Sequence, residues 1–163
     1  MSPGFSGGRL FRSPERPVGP LTGKSVFLAG SIEMGRAELW QPRVAERFLT
    51  AGHNVFDPRR IDWDSSWVQD PAPGTSFEQQ VSWELDHLER ANLVFFRFGA
   101  EGPAIVSMLE AGLMIGTIKP TVLLVDPAYV RRGNLVITAR RAGLPVFGSE
   151  DDFITHALDL LSG

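Results

Sequence analysis

The chain has 163 residues, of which 43% are hydrophobic and 21% are charged, and this suits one compact domain with its own core. The formal net charge is −3, so no basic footprint points to nucleic acid as a partner. The sequence contains no cysteine, which excludes disulfides, thiolate catalysis and cysteine–metal sites and fits a reducing, cytoplasmic compartment. The longest apolar run is interrupted by a glutamate and two glycines, so no membrane span is expected.

The N-terminal segment differs in composition from the rest of the chain. Residues 1–22 are rich in glycine, proline, serine and arginine, and we predict that they form a mostly disordered leader. A folded domain is expected over residues 23–163.

Short apolar runs alternate with amphipathic segments through this domain. In the first predicted helix, Leu39, Val44 and Phe48 are expected to face the core. Strands are predicted at 25–29, 53–58, 92–98, 120–126 and 144–147, and helices at 36–52, 76–90, 103–116, 132–141 and 150–161. The alternation predicts an α/β fold with a five-stranded parallel sheet, a flavodoxin-like or Rossmann-like three-layer sandwich. Ligands of such sheets bind beyond the carboxyl ends of the strands.

One ionisable residue, Glu110, lies in the apolar segment 102–118. In a helix, Val106 lies one turn before it and Met114 one turn after it, so the carboxyl group is not expected simply to face water. Burying a carboxylate is costly unless it is hydrogen-bonded, paired or neutralised. Glu110 is therefore either a structural residue bonded to a helix N-terminus or an arginine, or a catalytic residue.

A second glutamate interrupts an apolar helix face in the same way. Glu84 shares its face with Phe77, Val81 and Leu88. Two carboxyl groups on the core-facing sides of two helices fit a nucleophile and an acid. That combination cleaves a bond at the anomeric carbon of a sugar.

Polar and aromatic residues after the second predicted strand are candidate ligand contacts. Asp57 ends that strand, and Trp63 in the long loop that follows has a flat face suited to stacking on a base. The alternative for Trp63 is anchoring the loop against the core. Asp62 either binds the base or a sugar hydroxyl, or forms a turn. Arg59 and Arg60 are either solvated or in contact with a phosphate.

Four blocks of the sequence together resemble the nucleoside 2-deoxyribosyltransferase-like family. In chain order they are VFLAGSIEMGRAELWQ, DPRRIDWD, QQVSWELDHLERANLVFF and SMLEAGL, and the resemblance covers residues 25–147. It implies a flavodoxin-like fold and cleavage of the N-glycosidic bond of a small-molecule nucleoside or nucleotide. It also implies a homo-oligomer that needs no metal or organic cofactor.

The resemblance implies roles for particular residues. Glu110 corresponds to the glutamate that attacks the anomeric carbon, and Glu84 falls where the family has an acid that serves the base. Gly30 and Ser31 would line the sugar pocket, and Asn134 would serve the site of a neighbouring subunit. Transferases of the family pass the sugar to another base, whereas hydrolase relatives pass it to water.

Two positions depart from the family pattern. Ala104 stands where transferases often have an aspartate that holds the sugar 5′-hydroxyl. The first loop contains Glu33, which would repel the phosphate that nucleotide hydrolases bind there. Four functions therefore remain open. Three of them are a transferase, a hydrolase of nucleosides or their 5′-monophosphates, and a non-catalytic protein that binds a nucleotide derivative. A signalling or scaffold domain on the same fold is a fourth.

Overall fold

The computed structural model describes residues 7–31 and 39–163. In this part of the chain, one parallel sheet of six strands is covered by five helices, which confirms the predicted α/β fold. The strands are β1 (Leu10–Arg12), β2 (Ser25–Gly30), β3 (Asn54–Asp57), β4 (Leu93–Phe98), β5 (Thr121–Val125) and β6 (Val146–Phe147). The helices are α1 (Gln41–Thr50), α2 (Ser76–Arg90), α3 (Ile105–Ile115), α4 (Arg132–Arg141) and α5 (Glu150–Ser162).

The strand order is β1-β3-β2-β4-β5-β6, and every neighbouring pair is parallel. Without β1, this is the order of a flavodoxin-like sheet, in agreement with the predicted three-layer sandwich. The chain runs outward from β2 to β3 on one side and then crosses to β4 on the other. The order therefore reverses between β2 and β4, and ligands of doubly wound sheets bind at such a point.

The sheet has one strand more than predicted. β1 lies in the segment expected to be a disordered leader and pairs with β3, so that Phe11 faces Phe56 across the pair. Phe11 is fully buried, and the centroids of the two rings are 5.8 Å apart. The prediction of disorder is therefore wrong for residues 10–12. Three residues are too few to show a strand periodicity among neighbouring glycines and prolines.

Different helices cover the two faces of the sheet. α1 and α5 pack on one face, in a cluster that contains Phe48 and Phe153. α2, α3 and α4 pack on the other. Adjacent residues of β4 point to opposite faces, so Phe95 joins the first cluster and Phe96 the second. Burial on both faces explains why the strands read as continuous apolar runs.

The first helix differs from its prediction at the start. α1 begins at Gln41, and residues 36–38 of the predicted helix lie outside the described residues. Val44 and Phe48 are buried, as predicted. Leu39 is 59% exposed, so its predicted inward orientation is wrong. Leu39 precedes the helix, and the helical period therefore does not apply to it.

Candidate active site

α2 and α3 lie on the same face of the sheet and carry the two candidate glutamates. Glu110 lies on the inward side of α3 together with Ser107, Ala111 and Met114, and only 7% of it is exposed. Glu84 on α2 is half-buried. Both carboxyl groups are thus withdrawn from bulk water.

The apolar residues of α3 divide between the core and the surface. Met114 is buried, whereas Val106 and Leu113 are 60% and 49% exposed. α3 is apolar on nearly every side, so its sequence does not show which side faces the sheet. The expectation that Glu110 does not simply face water is confirmed, and packing on the sheet rather than cover by Val106 buries its carboxyl group.

Burial raises the pKa of both glutamates, and repulsion from Glu84 adds to the change at Glu110. Loss of water around Glu110 raises its pKa to about 8, and the negative charge of Glu84 adds to this effect. Desolvation also raises the pKa of Glu84, while a hydrogen bond from Gln80 opposes the change. Because a Coulomb interaction is mutual, the two glutamates titrate as a pair. Between its two titration steps the pair holds one proton, as an acid and a nucleophile together require.

Within the described residues, Glu110 has no hydrogen-bond or salt-bridge partner. The structural role that the sequence left open requires a helix N-terminus or an arginine beside the carboxyl group. Neither group contacts Glu110 in this part of the chain. The described structure therefore supplies neither of the partners that a structural role for Glu110 would need.

Glu84, in contrast, is held by a hydrogen-bond network. Gln80 lies one turn earlier on α2 and is buried, and its Nε2 donates to Glu84 Oε1 at 2.7 Å. The same nitrogen donates to the carbonyl oxygen of Pro58 at 2.8 Å, and Gln80 Oε1 accepts from Ser13 Oγ at 2.5 Å. Sequence reasoning missed both residues. The only signal for Gln80 was its position four residues before Glu84, and Ser13 gave none.

Gly30 and Ser31 lie at the point where the strand order reverses. Ser31 is buried, its N–H donates to the carbonyl oxygen of Arg97 at 3.1 Å, and its Oγ accepts from Gly99 N at 3.4 Å. Gly30 has a φ of 149°, and a Cβ there would collide with the Arg97 carbonyl oxygen. Both residues join β2 to β4, and their contact with a sugar stays a prediction. The expectation about Glu33 lies outside the described residues.

Asp57 is buried at the end of β3. Its Oδ1 accepts from Arg59 N at 3.0 Å, and its Oδ2 accepts from Arg12 Nε at 3.4 Å. Burial raises the pKa of Asp57, and these two arginines partly oppose the effect. The side chain therefore joins β1 to the start of the following loop, while a contact with a ligand stays a prediction.

The loop after β3 is organised around a stacked arginine. Arg60 makes two hydrogen bonds to Asp62, at 2.9 and 2.8 Å, and its guanidinium carbon lies 4.8 Å from the centre of the Trp67 ring. These bonds lower the pKa of Asp62 and fit the turn-forming alternative. Trp63 is 42% exposed and meets Trp67, at 5.2 Å between ring centroids, rather than either core cluster. Its predicted stacking on a base stays open.

Two guanidinium nitrogens in this loop are buried without an acceptor. They are the Nη1 atoms of Arg59 and Arg60, and neither has a hydrogen-bond partner in the structure as described. Buried donors of this kind are rare in native proteins. An anion is the ligand that suits them chemically, because phosphate and carboxylate oxygens match the guanidinium group.

The start of α3 is strained. Ala104 directly precedes the helix and has a φ of 45°, in the left-handed region that residues with a Cβ rarely adopt. Its methyl group provides no cap for the helix. The strain lies six residues before Glu110, at the position where the family pattern has an aspartate. Strained backbone of this kind is concentrated at functional sites.

Asn134 lies on α4, at a cavity beside the start of α3. It is exposed on α4 and, with Ile105 and Met108, lines a cavity of about 390 Å³ between α3 and α4. Neither Glu84 nor Glu110 lines this cavity. The role of Asn134 in the site of a neighbouring subunit stays a prediction.

The described residues also bear on other kinds of site. Over residues 7–31 and 39–163, no three histidine, cysteine, aspartate or glutamate residues are grouped so as to hold a metal ion. None of the helices in these ranges has the length and hydropathy needed to cross a membrane.

Comparison with known proteins identifies one family. The family description "Nucleoside 2-deoxyribosyltransferase like" matches residues 23–129, which is more than half of the chain. The match includes both glutamates and ends before Asn134. It begins after β1. No curated protein matches the chain.

Proposed function

The chain belongs to the nucleoside 2-deoxyribosyltransferase-like family, and we propose that it cleaves the N-glycosidic bond of nucleosides and transfers the sugar to another base. The observation that carries this proposal is the pairing of Glu84 on α2 with Glu110 on α3: burial raises the pKa of Glu110 to about 8, and the nearby charge of Glu84 adds to the effect. A buried carboxyl pair that shares one proton supplies a nucleophile and an acid at once.

In the first step, a carboxylate oxygen of Glu110 bonds to C1′ of the sugar. The bond between C1′ and the base nitrogen breaks, and its electron pair stays on the base. Glu84 gives its proton to the departing base, which leaves a glycosyl ester on Glu110 and a carboxylate on Glu84. In the second step, a ring nitrogen of another base bonds to C1′, Glu84 takes up its proton, and Glu110 leaves as a carboxylate. With water in place of the base, the product is the free sugar.

The position of the shared proton decides which form of the pair reacts. The high pKa of Glu110 favours the proton on Glu110 when the site is empty. The reaction requires the proton on Glu84 instead. Positive charge that develops on the sugar near C1′ favours an ionised Glu110, so the transition state itself stabilises the reactive arrangement.

The exposed side of α3 supports a homo-oligomer as part of this proposal. Ile105, Leu109 and Leu113 lie one turn apart on one side of the helix and are 74%, 68% and 49% exposed. Contiguous exposed apolar residues of this kind mark interaction surfaces. A second copy packed on this side would lie beside Asn134, since Asn134 and Ile105 line the same cavity.

The two buried guanidinium nitrogens favour a second candidate function, hydrolysis of nucleoside 5′-monophosphates. Arg59 and Arg60 each have an Nη1 atom without an acceptor in the described part of the chain. A phosphate group would supply the missing oxygens. Asp62 already pairs with Arg60 and partly neutralises its charge, so Arg60 would attract a phosphate less strongly. This weighs against monophosphates as substrates and favours nucleosides.

Base release measured by chromatography tests these proposals. The purified protein is incubated with a panel of nucleosides and 5′-monophosphates, with and without a second free base. A new nucleoside that forms only with the second base supports the transferase. Free base alone supports hydrolysis, and preference for monophosphates that is lost in Arg59→Ala supports the second candidate. Saturable binding of a nucleoside or monophosphate without any base release would contradict both enzymatic functions and would indicate a binding protein.

A further inference from the structure

The amide group of Gln80 is buried and has its donors and its acceptor engaged. Only 5% of the residue is exposed. Its two N–H groups reach Pro58 O and Glu84 Oε1, at 2.8 and 2.7 Å, and its oxygen accepts from Ser13 Oγ at 2.5 Å. A buried amide that is fully engaged has one orientation only, because any rotation leaves a buried polar atom unpaired.

The carbonyl oxygen of Pro58 determines which way the amide points. A carbonyl oxygen accepts hydrogen bonds and cannot donate them, so the nitrogen of Gln80 must face Pro58. The same nitrogen then faces Glu84, and Glu84 Oε1 must be an acceptor. When Glu84 is protonated, this bond favours the proton on Oε2, because a carbonyl oxygen accepts a hydrogen bond more strongly than a hydroxyl oxygen does. The network thus favours Oε2 as the oxygen from which Glu84 can protonate a leaving group.

One partner of Gln80, Ser13, comes from outside the region that matches the family. Ser13 follows β1, and its N–H donates to the carbonyl oxygen of Asp57 at 3.2 Å. The segment after β1 runs along α2, one helical turn at a time. Three contacts join the segment to α2: Ser13–Gln80 at 2.5 Å, Glu15–Trp83 at 2.8 Å and Arg16–Asp86 at 2.7 Å.

We propose that Gln80 is a positioning residue for the acid Glu84, and that the N-terminal segment 10–16 acts in the same reaction by holding Gln80 through Ser13. The inference rests on the proposed function, because it assigns Glu84 to protonation of the leaving base. Without Gln80, the Glu84 carboxyl group loses its only described side-chain donor and can turn its protonated oxygen away from the base. The bond from Gln80 also makes Glu84 a stronger acid by stabilising its ionised form.

The test compares a leaving base that needs a proton with one that does not. Guanine in a nucleoside needs protonation as it leaves, whereas N7-methylated guanine carries a positive charge and leaves without it. We expect Gln80→Met to lower kcat/KM for the guanine nucleoside by about 10- to 100-fold, within the range of general acid catalysis. For the 7-methylguanine nucleoside with the same sugar, we expect a loss below about threefold. Gln79→Met, at the exposed neighbouring position, is the matched control and should change neither value.

A loss of the same size on both nucleosides would show a structural role for Gln80 and overturn the proposal, and so would no loss on either. Ser13→Ala, with Ser82→Ala as its control on α2, keeps the test decisive if Gln80→Met does not fold. We expect Ser13→Ala to lower kcat/KM for the guanine nucleoside about three- to tenfold and to spare the methylated one. If the wild-type protein cleaves neither nucleoside nor any other, the proposed function fails first and this inference falls with it.

Discussion

The two helical layers of the molecule differ in how completely they bury their apolar residues. α1 and α5 together expose one large hydrophobic side chain, Leu160. The opposite layer exposes six: Leu85, Ile105, Val106, Leu109, Leu113 and Ile137. The same layer carries the two withdrawn glutamates. Features that are unfavourable for folding are thus concentrated on one side of the sheet.

The layer of α1 and α5 shows what a surface without such features looks like. Arg43 bonds Glu150 in two places, at 2.8 and 2.9 Å, and Arg47 bonds Asp151 at 3.2 Å. Its charges face water and pair across the two helices. On the other side, a buried carboxyl pair and an exposed apolar helix oppose stability, and the proposed function accounts for both. The proposed chemistry and the proposed contact with a second copy therefore both lie in the layer of α2 and α3.

The largest expected effect is the loss of the nucleophile. We expect Glu110→Gln to lower turnover at least about 1,000-fold while the circular dichroism spectrum stays that of the wild type, because an amide oxygen cannot form the glycosyl ester. Glu46→Gln, an exposed substitution on α1, should leave turnover unchanged. Turnover that survives in Glu110→Gln would show that the buried carboxyl group of α3 is not the nucleophile.

The next effect concerns the shared proton. We expect kcat/KM of the wild type to fall above about pH 8, since the raised pKa keeps one proton on the pair up to that pH and no acid remains beyond it. Glu84→Gln should lower kcat/KM about 100-fold near neutral pH. It should also abolish the alkaline fall, because the remaining carboxyl group acts only as the nucleophile. A wild-type profile that is level through pH 9 would contradict the coupling.

A smaller effect is expected from the apolar side of α3. Leu109→Glu places a charge on the proposed contact with a second copy, whereas Leu160→Glu places the same charge on α5. We expect the first variant alone to dissociate into single chains in light scattering. If Asn134 serves the neighbouring site, the same variant loses about tenfold in turnover. An unchanged mass for Leu109→Glu would show that this side of α3 is not the contact.

The smallest effect is on stability and depends on pH. The carboxyl group of Glu110 has a pKa of about 8 in the folded protein and 4.5 as the reference value. The folded chain therefore holds a proton that the unfolded chain has lost, and stability falls as the pH rises from 4.5 to about 8. We expect Glu110→Gln to gain about 2–4 kcal/mol at pH 8, or about 5–10 °C in Tm, and much less at pH 5. An equal gain in thermal melts at both pH values would contradict this account.

The order of elements could be predicted wherever a local signal was strong. The helix predicted at residues 132–141 coincides with α4, and the strand predicted at 120–126 contains β5. The errors have different physical causes. β1 is too short to show a strand period, so the sequence did not indicate that it pairs with β3. α3 is apolar on almost every side, so its sequence did not indicate which side faces the sheet. Gln80 was overlooked because a glutamine on a helix usually faces water.

The sequence by itself determined that one glutamate lies in an apolar helix and another on the inner side of a second helix, because residue type and helical period are local properties. Only the tertiary structure decided that the charge of Glu84 acts on Glu110, and that Ser13 reaches Gln80 across 67 positions of the chain. Strand pairing and helix packing bring such groups together. Both depend on segments far apart in the sequence, so no period within one segment contains that information.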